Sequence, residues 1–176
     1  MASFKAIDAI SRAVVALLQD HYRPGDFQNR PLEFKVCLAR DLPMEAGVSL
    51  FLYRIDPNQA VRPLPGRPAP GGRRRPPPLA VDLYFLLTAW AGDASLQHTI
   101  AGWMMRIMED HPVLAVPDLD DQVFQPAETV EIVLASLTTE EILRIWEVTA
   151  NQAYQISVPY IARNVQIEST DLNRPA

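Results

Sequence analysis

The chain opens on a helical pattern. Ile7, Ile10, Val14, Leu17 and Leu18 recur at three- and four-residue spacing and form one apolar stripe. Ser3 is placed to cap that helix, which runs to about His21. After a turn-rich stretch at 23–31 the period changes to two. Leu32, Phe34, Val36 and Leu38 share one face of a strand, and 48–55 (VSLFLYRI) reads as a second strand, apolar on both faces near its middle. Residues 79–91 give the clearest alternation. Leu79, Val81, Leu83, Phe85, Leu87, Ala89 and Ala91 face one way, and Asp82, Tyr84, Leu86, Thr88 and Trp90 the other. Asp93 caps a helix to about Glu109 with a broad stripe of Leu96, Ile100, Trp103, Met104, Ile107 and Met108, and Asp110-His111-Pro112 ends it. Residues 116–126 read as irregular. Val130, Ile132 and Leu134 make a short strand.

Thr138 with Glu141 is a capping box opening a helix over 139–148, with Ile142, Ile145 and Trp146 on its inner face. In the last strand, 155–167, Ile156, Val158 and Tyr160 lie on one face and Val165 and Ile167 on the other. This face switch, together with Pro159, predicts a bulge or an edge strand. The order of helices and strands predicts an α+β fold: a mixed, mainly antiparallel β-sheet with three helices packed on it. Residues 1–170 make a single domain, and 171–176 form a polar, frayed tail.

One segment breaks the pattern. Residues 57–78 hold eight prolines and three glycines in 22 residues, which predicts a long loop of extended polyproline character with neither helix nor paired strand. The segment carries Arg62, Arg67, Arg73, Arg74 and Arg75 and no acid, so its charge is +5 within a chain of net charge −5. The remainder is therefore −10. An acidic body with one basic arm argues against a nucleic-acid-binding domain. The arm suits an acidic protein partner or a solvated linker.

Composition narrows the function classes further. With 176 residues, 48% of them hydrophobic and 21% charged, the chain has an ordinary globular make-up. No apolar run reaches the roughly 18 residues that a bilayer span needs, and Asp8 and Arg12 make the N-terminus an amphipathic helix rather than a secretion signal. Cys37 is the single cysteine, so no intrachain disulfide forms, which fits a reducing cytoplasm. Its strand setting reads as a buried, inert thiol. None of His21, His98 and His111 has a partner at metal-ligand spacing. Asp118, Asp120 and Asp121 lack the glycine and distal glutamate of a calcium loop, and Glu140 and Glu141 suit a helix N-terminus. No phosphate loop or nucleophile elbow is present. The expectation is a protein with no catalytic residues, cofactor or metal.

Several stretches taken together carry a resemblance. They are IDAISRAVVALL in the first helix, the strand SLFLYRIDPN, PPPLAVDLYFLLTAWAGD after the Pro/Arg-rich loop, MRIMEDHPVL, TTEEILRIWEV and YQISVPYIARNVQIES. In this order the chain resembles the tail-terminator or cap proteins of extracellular contractile injection systems, the phage-tail-like particles of bacteria. The resemblance runs from Phe4 to about Ser169. It implies a structural protein that closes into a six-fold ring, ends the inner tube and anchors the last sheath layer. It also implies assembly in the cytoplasm before release in an extracellular particle. A tail-completion or adaptor protein of a non-contractile phage-like tail is the alternative. On this reading the expected partner-binding residues are Arg62, Arg67, Arg73, Arg74 and Arg75 of the loop and Tyr160 and Arg163 of the last strand. The partners are further copies of the chain, the tube protein and the sheath protein, with no nucleic acid and no membrane.

Overall fold

A computed structural model describes residues 2–41, 44–58, 67–69, 73–147 and 153–169, with backbone alone at 67–69 and 73–75. Among the described residues there are three α-helices: α1 (Ala6–His21), α2 (Ala94–Asp110) and α3 (Thr139–Glu147). The strands are β1 (Glu33–Val36), β2 (Gly47–Pro57), β3 (Arg67–Ala69), β4 (Arg73–Arg75), β5 (Leu79–Trp90), β6 (Val113–Leu114), β7 (Val130–Leu134) and β8 (Ser157–Ile167). Six of them form one sheet in the order β1-β2-β5-β8-β7-β6. The β1–β2 pair is parallel and the other pairs are antiparallel, so the sheet is mixed and mainly antiparallel, as the sequence predicts.

The alternation in β5 decides the layers. Val81, Leu83, Phe85, Leu87 and Ala89 face the main core, which they share with Ile10, Val14 and Leu18 of α1 and Ile100, Met104 and Met108 of α2. Each such side chain, once buried, contributes about 2 kcal/mol. Leu86, Thr88 and Trp90 point to the opposite face and are buried there as well. A second cluster of Cys37, Met44, Trp90 and Trp146 forms on that side, with Ile142 of α3 packed against it. A β5 that is apolar on both faces is thus a strand with helices on both sides.

Local chemistry sets the helix ends. Asp93 Oδ1 accepts from the Leu96 backbone N–H at 2.9 Å. The Thr138–Glu141 box forms as expected: the Glu141 N–H donates to Thr138 Oγ1 at 3.2 Å, and the Thr138 N–H donates to Glu141 Oε2 at 2.8 Å. Helix α1 begins at Ala6, later than a Ser3 cap requires, and the Ser3 hydroxyl accepts from the Lys5 N–H at 3.3 Å instead.

Two further expectations are corrected. The last strand is not an edge: β8 lies between β5 and β7. Pro159 is tolerated there because it stands opposite the point where β7 ends. Its carbonyl accepts from the Ala135 N–H at 2.9 Å, and its ring nitrogen faces the same side, beyond the ladder. The predicted face switch is a real bulge. Val81 pairs with Val165 but Leu83 pairs with Ala162, and Asn164 takes up the extra residue at φ 53°.

The Pro/Arg-rich loop contains paired strand after all, with Arg67, Pro68 and Ala69 opposite Arg75, Arg74 and Arg73. Both strands of a two-stranded ribbon are edges, so proline has an outward position available. Just before the stretch expected to be irregular, Val113 and Leu114 form β6 alongside Glu131 and Val130.

Candidate partner-binding surface

The Arg-rich ribbon is an insertion in the central hairpin of the sheet. Strands β2 and β5 pair up to Pro57–Val81, and the chain between them contributes β3 and β4, which among the described residues pair with each other and not with the six-stranded sheet. The root of the insertion is tied down by one carboxylate. Asp82 Oδ1 accepts from Asn58 Nδ2 at 2.9 Å and from the backbone N–H of Asn164 at 2.8 Å. The Asn58 N–H also donates to Ala80 O at 2.9 Å. One side chain therefore links the arm's root to the β8 bulge. The sequence places Asp82 on the outer face of β5 but gives no signal of this role.

The expected partner-binding residues separate into three groups. Arg67, Arg73, Arg74 and Arg75 lie in the β3–β4 ribbon, while Arg62 falls outside the described residues. Arg163 is exposed on β8, with Nη1 4.0 Å from Glu131 Oε2 on β7. Tyr160 is a correction. It is 3% exposed, its ring stacks on Phe85 at 6.1 Å and 20°, and burial pushes its hydroxyl up to about 12. It faces the core because β8 presents 158, 160 and 162 to the helices, in register with the inner residues of β5.

Sequence reading missed a polar network on the α3 face. Trp90 Nε1 donates to Ser49 Oγ at 2.8 Å, Trp146 Nε1 donates to Ser157 Oγ at 3.1 Å, and the Thr88 and Ser157 hydroxyls lie 2.8 Å apart. These bonds satisfy buried polar groups and fix how α3 sits on the sheet. Next to it a bulge at Tyr53 aims both Tyr53 and Arg54 at the α3 face, and the Arg54 guanidinium lies 4.5 Å from the centre of the Tyr84 ring. The Tyr53 hydroxyl is buried without a partner among the described residues, and burial raises its pKa. Further along this face Phe51, Val133 and Ile161 are only half-buried.

Among the described residues the sheet has two edges without a further strand, at β1 and at β6. The Glu33 N–H donates to Ala46 O just before β2 and the Cys37 N–H to Leu50 O within it, so the alternate residues Phe34 and Val36 direct their backbone groups outward. Val36 is 41% exposed and Leu38 55%. At the other edge, Val113 and Leu134 are 48% and 49% exposed.

Groups suited to chemistry are sparse. Burial raises the Cys37 thiol pKa, the opposite of what a nucleophile needs. The His21 and His111 rings lie 4.5 Å apart, tilted by 58°, and each Nδ1 bonds to the carbonyl four residues earlier, Leu17 and Ile107. Among the described residues no group of three or more His, Cys, Asp or Glu is arranged to hold a metal ion, and no helix is long and apolar enough to cross a membrane. Among the described residues the surface carries sheet edges and exposed apolar residues such as Val36, Leu38, Val113 and Leu134.

Known proteins place this arrangement in a family. No curated protein matches the chain. Among solved structures it is similar to the sheath/tube terminator of an extracellular contractile injection system, PVC, in the extended state. The TM-score is 0.63 and the identity 17%, over 94% of this chain and 57% of that one. It is also similar to the tube-terminating cap of the anti-feeding prophage, with a TM-score of 0.61 and 18% identity, over 92% of this chain and 55% of that one. The chain thus spans little more than half the length of these structures, and at such identity the likeness is one of fold. The family model described as the Pvc16 N-terminal domain matches residues 9–176, and the chain belongs to that family.

Proposed function

We propose that this chain is a structural terminator: copies of it close into a ring, six-fold in symmetry, that ends the inner tube of a contractile injection particle and holds the last sheath layer. The observation that carries the reading is that nearly the whole chain shares its fold with two tube-terminating proteins. The surface supports it. A sheet open at two chemically different edges suits a head-to-tail contact, and a head-to-tail contact repeated around an axis makes a ring. Each contact is then repeated at every position, so weak pairing adds up to firm seating. The protein works by shape and charge rather than by turnover. Copies assemble in the cytoplasm and leave with the particle.

The test uses particles made without the chain. Purified protein added to them is expected to appear by electron microscopy as a six-fold ring at the end remote from the baseplate, in contact with both tube and sheath. Deleting residues 62–76 is expected to weaken ring closure or sheath attachment. Rings that bind tube but ignore sheath would favour the adaptor of a non-contractile tail. Failure of the protein to associate with tube ends at all would overturn the reading.

A further inference from the structure

We propose that His21 and His111 form a binding site for a divalent transition-metal ion, which both rings ligate through Nε2 and which ties the ends of α1 and α2 together. The inference concerns the single chain and does not rest on the terminator reading.

Two helix ends bring the rings together. His21 is the last residue of α1, and His111 is the C-cap of α2. Both residues are half-buried. Their ring centroids lie 4.5 Å apart with the planes tilted by 58°. The Nδ1 of His21 lies 2.9 Å from Leu17 O, and that of His111 lies 3.1 Å from Ile107 O. A carbonyl only accepts, so Nδ1 is the donor in both rings, and the neutral ring has its lone pair on Nε2. Neither Nε2 has a hydrogen-bond partner among the described residues. The two ring nitrogens point in widely different directions. A ring that turns Nδ1 back on its own helix therefore turns Nε2 away from it.

This is the form in which histidine ligates a metal. A ligating imidazole regularly donates its other N–H to a backbone carbonyl or carboxylate, which fixes the tautomer and the ring. Here that outer bond is in place on both rings. Their separation also fits a shared ion. Two ring nitrogens about 2.1 Å from one ion set the ring centres about 4.6 Å apart at a right angle and about 5.3 Å apart at the tetrahedral angle. The observed 4.5 Å lies next to the right-angle value. Imidazole suits Ni²⁺, Cu²⁺ and Zn²⁺, and a right angle favours the octahedral or square-planar ions, Ni²⁺ and Cu²⁺, over tetrahedral Zn²⁺. Water fills the remaining positions.

The surroundings favour positive charge. The C-terminus of a helix carries a partial negative charge, and two such ends meet at this place. Asp110 adds a carboxylate. Its pKa is held below the ordinary value, first by the hydrogen bond from Arg106 and in smaller part by charge on Arg106, His111 and His21, so it stands within electrostatic reach of both rings. Arg106 is paired with this same carboxylate. The third histidine, His98, is exposed on α2, about 20 Å along the helix from His111, and serves as the control.

Titration of the untagged full chain with Ni²⁺, followed by calorimetry, tests the site. One ion per chain is expected. His21→Asn and His111→Asn each keep an N–H donor for the helix carbonyl and remove Nε2. Each is expected to weaken binding at least ten-fold, while His98→Asn stays within about two-fold of the parent. Circular dichroism without metal confirms that the variants fold. An ion that binds the folded chain alone, supplied at about 100 times its Kd, raises the folded-to-unfolded ratio about a hundred-fold. Urea unfolding is expected to show that gain in the parent and about ten-fold or less in either Asn variant.

A second measurement needs no variant. In imidazole ¹⁵N spectra of the parent, diamagnetic Zn²⁺ is expected to move the Nε2 signals of His21 and His111 together and to leave His98 in place. A parent that binds no ion would overturn the inference. So would binding that survives both Asn variants, binding that depends on only one of the two rings, or an equal loss in His98→Asn.

Discussion

Helix α3 has nine residues, too few to be stable in water by itself, so its place on the sheet depends on what it buries. Its anchor is Trp146, which is 7% exposed, lies 5.9 Å from Trp90 and donates to Ser157 at 3.1 Å. Replacing a buried tryptophan with alanine costs about 3–5 kcal/mol, and the lost hydrogen bond is part of that figure. The loss is capped by the docking energy of α3, because beyond that point the helix detaches. Trp146→Ala is therefore expected to cost about 3 kcal/mol in urea unfolding. Cys37 reports on the detachment directly. It is 4% exposed and belongs to the same cluster as Trp90 and Trp146. Thiol labelling under native conditions samples the open population, and 3 kcal/mol corresponds to about a hundred-fold faster reaction. Leu143→Ala is the control, since Leu143 is 43% exposed and such surface changes stay within about 0.5 kcal/mol. A labelling rate within about three-fold of the parent, or an equal effect from Leu143→Ala, would refute the claim that Trp146 holds α3 to this face.

Other residues give separate tests. Gly47 has φ 141° and stands against β1, where an added Cβ would come within 2.6 and 2.8 Å of the Glu33 backbone N and C. Gly47→Ala is expected to cost more than about 3 kcal/mol and to expose the β1 amides to hydrogen exchange. Asp82→Ala removes the acceptor shared by Asn58 and the Asn164 N–H and is expected to cost about 1–3 kcal/mol, with faster amide exchange at Asn164. Tyr160, pushed up to about 12 mainly by burial, keeps its proton in the fold at pH values where the unfolded chain has lost it. Its contribution is therefore whole below about pH 10 and declines between about pH 10 and 12, by at most about 1.4 kcal/mol per unit. Tyr53 shifts in the same direction and adds to the decline. Urea midpoints measured across that range should fall less steeply in Tyr160→Phe than in the parent.

The strands and helices with the strongest periodicity were legible because one local pattern settled each. The β5 alternation assigned residues to both layers correctly, and the caps at Asp93 and Thr138 formed as the sequence implied. What stayed hidden depends on long-range pairing. Pro159 argued for an edge strand, but the feature that admits it is the end of β7, 25 residues earlier in the chain. Tyr160 was expected on a docking surface, yet its register with Phe85 turns it into the core. The proline content of 57–78 hid the β3–β4 ribbon, because a two-stranded ribbon does not need every backbone N–H. The roles of Asp82 and Ser157 likewise follow from contacts between distant segments, and residue type gives no hint of them.

Tube length is the most direct measure of termination. Particles produced with and without this chain should be imaged by electron microscopy and the distribution of tube lengths compared. Without it, the account predicts tubes of varied and greater length with sheath lost from the far end, and restoration when the intact chain is supplied. Tubes of unchanged length carrying a complete sheath would contradict it.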